Sequence, residues 1–302
     1  MSSDKSIIAK PFLKWAGGKT QLIEEIKNNL PKSIENNRFT FIEPFVGSGA
    51  VFFWMMQKYP NIEKAVINDI NLDLTDCYLT IKEDLNQLID ILSVYQDEYH
   101  KIFADKEKSK EYYYIKRELF NTRSSNRTVQ SALFIFLNKT CFNGLYRVNS
   151  KNLYNVPIGR SKSLPNICNE VNLKAVSEVL QKTIILNGDY ADTLKYAEDN
   201  ALFYFDPPYK PLNATSSFNS YAKDEFNDEQ QIRLKEFCET LDNKGHQWIL
   251  SNSDMKNVNP DDNFFDDLYE QFNIYRVNAR RSINSKASKR GKLTELLITN
   301  LS

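Results

Sequence analysis

Seven short apolar runs, rich in β-branched and aromatic residues, alternate with stretches of helical spacing along most of the 302-residue chain. The runs lie at Arg38–Glu43, Ala65–Asp69, Thr183–Asn187, Leu202–Asp206, Gln247–Ser251, Phe272–Asn278 and Leu293–Thr299. Strands that alternate with helices are typical of a mostly parallel, doubly wound sheet. The last two runs flank a basic loop and are predicted to form an antiparallel hairpin. The sequence therefore predicts an α/β fold around one seven-stranded sheet.

Helices are predicted between the runs at Thr20–Leu30, Gly49–Lys58 and Asp228–Asp242. The last of these follows Asn227, which is suited to cap a helix, and a glutamine stands three positions beyond it. The predicted strands and helices thus account for most of the chain on either side of one interruption.

The interruption extends from about Leu74 to Asn172. This interval is helix-like in its first part, strongly basic, and rich in loop residues around Asn143-Gly144. It is predicted to be a mainly helical module inserted between the second and third strands. The predicted domains are residues 1–73 and 173–302, which form one catalytic domain, and residues 74–172, which form the insert.

Positive charge is concentrated in two segments although the formal net charge is zero. Residues 101–169 contain 13 Lys and Arg against 4 Asp and Glu, and residues 276–292 contain 7 basic residues and no acidic one. A local field of this kind can attract phosphate groups whatever the total charge. The alternative is a pair of solvated loops, and composition alone leaves both interpretations open.

Composition argues against several classes of protein. No apolar run approaches the roughly 20 residues that span a bilayer, and the segment Met1–Lys10 lacks the apolar core of a signal peptide. The four cysteines are widely scattered and only two histidines are present, so no zinc or disulfide spacing is found. We therefore expect a cytoplasmic protein in a reducing compartment, without a membrane segment or a metal site.

The fourth apolar run ends in Asp206-Pro207-Pro208-Tyr209. Proline lacks a backbone donor and restricts the preceding residue, so a strand cannot continue through this segment. A carboxylate, carbonyl oxygens and an aromatic ring are thereby placed together at the edge of a sheet. Such a set suits a flat heterocycle with an exocyclic amine, which donates two N–H groups and stacks on the ring. The alternative for an isolated motif is a surface turn stiffened by proline.

A glycine turn with Gly47 and Gly49 follows the first predicted strand. Glycines at this edge of an open sheet let the backbone approach a ligand closely. Phe52 stands where a dinucleotide fingerprint has its third glycine, which disfavours a pyrophosphate cofactor. Asp69, at the end of the second strand, suits ribose hydroxyls, the alternative being a helix cap. Together these residues predict an adenosine cofactor without a diphosphate.

The segment Lys14-Trp15-Ala16-Gly17-Gly18-Lys19-Thr20 ends like a phosphate-binding loop. That motif needs a glycine five positions before Gly18, where this chain has Leu13, so nucleotide hydrolysis is rejected. A Gly-Gly turn flanked by Trp15 and Lys19 can instead form one wall of a cofactor pocket.

The order of motifs resembles the DNA adenine-N6 methyltransferases of the Dam type. The motifs are, in order, FLKWAGGK, EPFVGSGAVF, NDIN, a basic insert, GDYAD, DPPY and ILSNSD. The resemblance extends from about Lys10 to Asn300 and includes the position of the insert. It implies a Rossmann-like methyltransferase sheet, S-adenosylmethionine as the methyl donor, and double-stranded DNA as the substrate bound by the insert.

The resemblance also implies which residues form the sites. Those implied to bind the cofactor are Trp15, Lys19, Phe45, Gly47, Gly49, Asp69, Asp189, Tyr190 and Asp206. Those implied to be catalytic are Asp206, Pro207, Pro208 and Tyr209. Those implied to bind DNA are Lys14, Phe142, Asn143, Leu145, Arg147, Asn149, Pro157, Arg160 and Lys162.

Members of the resembled family read the sequence GATC, and five residues match their readers. Lys14 matches the contact to the first guanine, and Arg147 the arginine that reads the guanine opposite the last cytosine. Leu145 and Pro157 match contacts to the thymine methyl group, and Phe142 the wedge that fills the space left by the target base. The family more often has tyrosine as the wedge, and Lys139-Thr140-Cys141 departs further from its pattern, which affects the preference for flanking sequence.

The chemistry of an adenine amine explains the need for these residue types. Its lone pair is delocalised into the ring, and two acceptors, the Asp206 carboxylate and the Pro207 carbonyl, can hold both N–H bonds out of the ring plane. Asp206 can then take the proton as the nitrogen attacks the methyl group. The base must leave the duplex, which requires a few kcal/mol, and stacking on Tyr209 would offset part of that free energy.

Two interpretations from other classes remain at this point. A DNA-binding relative that no longer catalyses is disfavoured by the intact motifs. A methyltransferase for RNA or for a protein glutamine usually has asparagine in place of Asp206. Within the DNA methyltransferases, the chain could also recognise another site as the partner of a restriction nuclease. A monomer in solution is expected.

Overall fold

The computed structural model describes residues 8–15, 17–211, 226–279 and 293–301. The strands in this part of the chain are β1 (Phe39–Glu43), β2 (Ile62–Asp69), β3 (Thr183–Asn187), β4 (Ala201–Phe205), β5 (Gln247–Ser253), β6 (Asn273–Ala279) and β7 (Leu293–Thr299). They form a sheet of order β3-β2-β1-β4-β5-β7-β6. β1 pairs in parallel with β2 and β4, and β4 with β5, whereas β7 is antiparallel to both β5 and β6. The predicted seven-stranded α/β sheet and its terminal hairpin are confirmed.

β4 is apolar or aromatic on both faces, and β1 is apolar except at Thr40 and Glu43. Every residue of β1 and of β4 is buried, as expected for strands covered on both sides. β2 begins at Ile62 rather than at the predicted Ala65, because the strand continues through the polar Glu63 and Lys64; the register with β1 shifts at Glu63, as in a β-bulge. β4 ends at Phe205, so Asp206 lies just beyond the strand.

The helices are α1 (Ile23–Asn28), α2 (Ala50–Lys58), α3 (Leu72–Glu83), α4 (Leu85–Ile102), α5 (Lys106–Thr122), α6 (Arg127–Thr140), α7 (Glu170–Leu180), α8 (Asp228–Asn243) and α9 (Phe264–Leu268). The predicted cap of α8 is confirmed, since the Asn227 side chain accepts a hydrogen bond of 3.1 Å from the Gln230 amide. The helix predicted at Thr20–Leu30 is divided into a 3-10 turn, Lys19–Gln21, and α1.

One compact unit comprises Met1–Gly18, Gly47–Lys58 and Asp69–Gly188. Within it α6 is buried along most of its length and packs against α3, α4 and α5. The Asn126 side chain caps α6 by accepting a hydrogen bond from the Val129 amide. Tyr113 is fully buried in this unit, whereas Trp54, Tyr112 and Tyr114 are half-buried. The domain boundaries at residues 74 and 172 stay a prediction.

A second compact unit comprises Lys19–Val46, Tyr59–Asn68 and Asp189–Ser302. It contains β1, β4, β5 and the β6–β7 hairpin, with α8 packed against β5. Trp248 is completely buried. The basic loop predicted at 279–292 falls, after Ala279, outside the described residues. Before this loop, in β6, Arg276 pairs with Asp254 and Asp266.

Helices that are both apolar and long enough to cross a bilayer do not occur in the described ranges.

Candidate functional site

Asp206 lies at the carboxyl end of β4, where Pro207 ends the strand. The Lys19 Nζ atom is 3.1 Å from Asp206 Oδ1. The Ser251 hydroxyl on β5 donates a hydrogen bond of 3.2 Å to the same oxygen. Among the described residues, Asp206 Oδ2 makes no hydrogen bond. One oxygen of the carboxylate is thus held by the protein and the other can accept a donor from a ligand.

The protonation of Asp206 is set by opposing influences. Burial raises the pKa of Asp206 to about 6, and the charge of Glu295 adds to the rise, while Lys19 and Ser251 lower it. Asp206 is therefore mostly ionised at pH 7 but is a stronger base than an exposed carboxylate. A carboxylate of this kind can both accept an N–H bond and take up a proton.

Tyr209 is fixed at both its hydroxyl and its ring. The hydroxyl donates a hydrogen bond of 2.8 Å to Glu295 Oε2 on β7. The Lys19 Nζ atom lies 4.2 Å from the centroid of the ring, a distance at which a cation is attracted to an aromatic face. The structure thus brings the predicted Lys19, Asp206 and Tyr209 together, and holds the aromatic ring in a defined position.

The two prolines are held by neighbouring elements. Pro207 is buried and Pro208 is exposed. The Gln231 side chain of α8 donates a hydrogen bond of 3.2 Å to the Pro208 carbonyl oxygen. Gln231 is itself buried and accepts a hydrogen bond of 3.0 Å from the Asn252 side chain on β5. The backbone after β4 is therefore fixed from both α8 and β5.

Phe45 and Tyr190 belong to an aromatic cluster of the second unit. Their ring centroids are 5.2 Å apart. The Tyr190 hydroxyl is buried and has no hydrogen-bond partner within the described part of the chain. The neighbouring Asp189 forms a bidentate ion pair of 2.7 and 2.9 Å with Arg233, which lowers the pKa of Asp189. The cluster offers an apolar surface with one unsatisfied buried hydroxyl, a combination suited to a polar ligand.

In the first unit, the turn after β1 requires its glycines. Gly47 and Gly49 have φ values of +48° and +72°, which L side chains rarely adopt. A Cβ atom on Gly47 would lie 2.9 Å from Cδ1 of Trp15. A Cβ atom on Gly49 would lie 2.7 Å from the hydroxyl oxygen of Tyr78, which donates a hydrogen bond to the Gly47 carbonyl. The predicted residues Trp15, Gly47 and Gly49 are close to one another.

Asp69 is tied to this glycine turn. Its carboxylate accepts hydrogen bonds of 3.1 Å from the Gly47 amide and 2.9 Å from the Asn71 amide. Burial raises the pKa of Asp69, and these backbone hydrogen bonds oppose the rise. The side chain that caps α3 is Asn71, not Asp69. A carboxylate has about four lone-pair sites, so the Asp69 side chain keeps acceptor capacity for a hydroxyl group beyond its backbone hydrogen bonds.

The loop predicted to contact DNA begins with the 3-10 turn Phe142–Gly144. Phe142 is 45% exposed, and its amide donates a hydrogen bond of 2.9 Å to the Pro157 carbonyl. The Asn138 side chain at the end of α6 donates to the carbonyl oxygens of Lys14, at 2.8 Å, and of Gly144, at 3.0 Å. The predicted residues Lys14, Phe142 and Pro157 therefore share one local framework.

Arg147 and Asn149 lie on a short hairpin with a bridge between Val148 and Tyr154. The Arg147 Nε atom donates a hydrogen bond of 2.7 Å to Asn155 Oδ1. The Asn149 side chain accepts hydrogen bonds from two amides of the hairpin turn, at 2.9 and 3.0 Å. It therefore stabilises the turn, whatever it contacts outside. Four other predicted DNA contacts differ in exposure: Asn143, Arg160 and Lys162 are exposed and Leu145 is half-buried.

Sequence reasoning missed four residues that hold the predicted ones in place. They are Ser251, Glu295, Gln231 and Asn155. Ser251 was visible as part of the ILSNSD motif, but its bond to Asp206 was not. Asn155 begins the segment Asn155–Arg160, which the resemblance assigned to the recognition hairpin, but its bond to Arg147 was not visible in the sequence. Glu295 and Gln231 are isolated polar residues without a motif.

Groups of three or more His, Cys, Asp and Glu side chains that could hold a metal ion are not found in the described ranges.

Comparison with known proteins gives one family and several similar relatives. The family of D12 class N6 adenine-specific DNA methyltransferases matches residues 15–283. The Type II methyltransferase M.MjaIII of Methanocaldococcus jannaschii is 51% identical, over 96% of this chain and 99% of the relative. The Type II methyltransferase M1.LlaDCHI of Lactococcus lactis is 39% identical, over 96% and 95%. The DNA adenine methylase of Escherichia coli is 34% identical, over 95% and 94%.

Proposed function

Because the chain belongs to the family of D12 class N6 adenine-specific DNA methyltransferases, we propose that it methylates adenine N6 within GATC, on a base flipped out of duplex DNA, from S-adenosylmethionine. The observation that carries the reaction is the Asp206 carboxylate, held through Oδ1 and open at Oδ2 beside the fixed ring of Tyr209. The protein acts in the cytoplasm as a monomer.

The residues present fit S-adenosylmethionine, a cofactor with an adenosine and no diphosphate. Gly47 and Gly49 make a turn that side chains would fill, and it lacks the third glycine of a dinucleotide site. Asp69 binds the ribose hydroxyls through its remaining acceptor capacity. When bound, the cofactor supplies a methyl group activated on a sulfonium.

Residues of the chain bind the adenine amine and remove its proton. Asp206 Oδ2 and the Pro207 carbonyl accept the two N–H bonds of the adenine amine, which localises the lone pair on the nitrogen. Tyr209 stacks on the base. As the new N–C bond forms, Asp206 takes up the proton that the nitrogen loses, which a carboxylate with a pKa of about 6 can do near neutral pH.

Recognition of DNA belongs to the loop and hairpin near Lys14. Arg147 reads a guanine through the terminal nitrogens of its guanidinium, because its Nε is already bonded to Asn155. Lys14 contacts the other guanine, and Leu145 and Pro157 contact the thymine methyl. The half-exposed Phe142 enters the space left by the target base.

A second candidate is methylation of adenine in another sequence, as the partner of a restriction nuclease. It is favoured by the 51% identity to the Type II methyltransferase M.MjaIII, which exceeds the 34% identity to the Escherichia coli DNA adenine methylase. Residues 139–141 also depart from the pattern of the GATC readers. A nuclease gene beside the gene for this chain would support this candidate.

Mapping of methylated adenines tests both candidates. The chain is expressed in cells without an adenine methylase of their own, with Asp206→Ala as the inactive control. The expected result is N6-methyladenine in GATC, and DNA that resists a nuclease blocked by that mark. Methylation confined to another sequence would overturn the GATC assignment and keep the reaction. Unmethylated DNA in cells that hold the folded parent protein would overturn the reaction.

A further inference from the structure

We propose that Lys19 is a positioning residue for the acceptor carboxylate, which keeps Asp206 ionised and turned so that Oδ2 meets the adenine amine. The proposal rests on the proposed role of Asp206. It gives Lys19 a function on the acceptor side of the reaction, in place of the cofactor contact expected from the sequence.

The position of the Lys19 ammonium supports this role. Lys19 is buried, with 7% of its surface exposed, and its Nζ atom is 3.1 Å from Asp206 Oδ1. Because Lys19 and Ser251 both contact Oδ1, they fix the rotation of the carboxylate. The same ammonium lies over the ring of Tyr209. One side chain therefore contacts both groups proposed to hold the base.

Among the groups around Asp206, Lys19 contributes most to stabilising the charged form of the carboxylate. Glu295 on β7 opposes ionisation through its negative charge. Burial raises the pKa of Tyr204 on β4 and of Tyr209 well above the usual range, so both phenols are neutral at working pH. Ser251 contributes a neutral hydrogen bond. Without Lys19, burial and Glu295 would act with little opposition, and Asp206 would be protonated nearer to neutral pH.

Protonation of Asp206 would block the proposed reaction. A protonated carboxyl group has lost one acceptor and donates an O–H instead, so it cannot both hold the amine and take up its proton. The rate of methyl transfer should therefore fall as pH drops through the pKa of Asp206. The position of this acidic limb reports the charge that Lys19 contributes, whereas a purely structural role would lower the rate equally at every pH.

The test is the pH dependence of single-turnover methyl transfer to duplex DNA, at saturating cofactor and DNA, for the parent protein, Lys19→Met and Lys19→Arg. The acidic limb of the parent is expected near pH 6. In Lys19→Met we expect it to move upward by about one pH unit or more, the usual size for loss of one close opposite charge. The rate of Lys19→Met, relative to the rate of the parent at the same pH, should therefore rise between pH 6.5 and 9. Lys19→Arg retains the charge, so its limb should stay within about half a pH unit of the parent.

Lys210→Met is the matched control. Lys210 follows the same motif but pairs with Asp228, so its removal should leave the limb in place. An unshifted limb in Lys19→Met, or an equal shift in Lys19→Arg, would overturn the proposal. A loss confined to the KM for S-adenosylmethionine would assign Lys19 to the cofactor. If Lys19→Met does not fold, the acidic limb of Lys19→Arg is compared with that of the parent. A limb within about half a pH unit of the parent supports the proposal, and a larger shift overturns it. A parent without activity at any pH, or an active Asp206→Asn variant, would instead contradict the proposed function.

Discussion

The side-chain amide of Gln231 donates a hydrogen bond of 3.2 Å to the carbonyl oxygen of Pro208, two residues after the proposed acceptor Asp206. Gln231 lies in the first turn of α8 and is buried, and Asn252 donates to its other end. Since prolines cannot join the hydrogen-bond ladder of a sheet, the segment after β4 depends on such side-chain contacts for its path. The orientation of the Pro207 carbonyl is therefore coupled to α8 through Gln231.

We expect Gln231→Leu to lower the single-turnover rate by about tenfold to a hundredfold. The variant removes one hydrogen bond at Pro208 and leaves the buried Asn252 Nδ2 group without its acceptor, each change being equivalent to about 1–3 kcal/mol. The control is Gln230→Leu, which makes the same chemical change one position earlier, where only the backbone amide bonds to the Asn227 cap. Equal rates in the two variants, measured with saturating DNA and cofactor, would contradict this role of Gln231.

The raised pKa of Asp206 predicts that Asp206→Asn is inactive but more stable than the parent above pH 6. An acid whose pKa rises from 3.8 to about 6 on folding binds its proton more tightly in the folded state, so the stability of the parent falls as pH increases through this interval. Asparagine does not ionise and escapes this loss. The gain at pH 7.5 should be at most about 3 kcal/mol, and it should vanish near pH 4.

Urea denaturation at pH 4 and pH 7.5 measures this difference. Asp189→Asn is the control of opposite sign. Because Arg233 lowers the pKa of Asp189 in the folded state, removal of this carboxylate should destabilise the protein above pH 4. A stability difference between Asp206→Asn and the parent that does not change with pH would contradict the assignment of the raised pKa.

The fold and the centre of the site could be predicted from the sequence because they depend on local signals. β4 is an unbroken apolar and aromatic run, and β1 is apolar except at Thr40 and Glu43; both are buried along their whole length, so their positions were evident. The glycine turn and the prolines restrict the backbone whatever surrounds them. Even so, the start of β2 was missed, because Glu63 is exposed in a strand whose pairing does not depend on its side chain.

The supporting residues could not be predicted because their partners are distant in the sequence. Glu295 bonds to a tyrosine 86 positions away, and Ser251 to an aspartate 45 positions away. A single polar residue on a strand carries no sign of which carboxylate or phenol it will meet. The ion pair between Lys19 and Asp206 spans most of the chain, so the role of Lys19 depended on the tertiary structure.

Gly144→Ala should destabilise the protein and weaken DNA binding. Gly144 has a φ of +64°, and an added Cβ atom would lie 2.5 Å from Cβ of Lys14, which cannot move without the backbone. Gly245→Ala is the matched control, since its φ is +78° and its Cβ atom would meet nothing within 4 Å. We expect about 1 kcal/mol from the backbone strain in both variants, and about 1–3 kcal/mol more in Gly144→Ala. Equal denaturation midpoints would show that the loop adapts to the methyl group.

Arg147→Ala and Asn155→Ala should affect the same step of recognition. If Asn155 orients the guanidinium through Nε, either change should reduce discrimination at one guanine by about 1–3 kcal/mol. The double variant should be no worse than Arg147→Ala, because both remove one contact. Methylation rates on duplexes with single substitutions in the site measure this. A uniform loss on every duplex, with a shallower salt dependence, would assign Arg147 to a phosphate instead.

Phe142→Ala should slow methylation of a paired adenine more than that of an unpaired one. Phe142 is 45% exposed, so its removal should change the stability of the free protein little. If the ring replaces the flipped base in the stack, its loss raises the free energy of flipping by a few kcal/mol, and a target adenine opposite an abasic site avoids most of that requirement. We therefore expect the deficit of Phe142→Ala, about a hundredfold on the matched duplex, to shrink at least tenfold on the abasic duplex. Ile115→Ala, which truncates another exposed side chain in the same unit, should show the same rate as the parent on both duplexes. A deficit of equal size on the two duplexes would show that Phe142 contributes to binding or packing but not to base flipping.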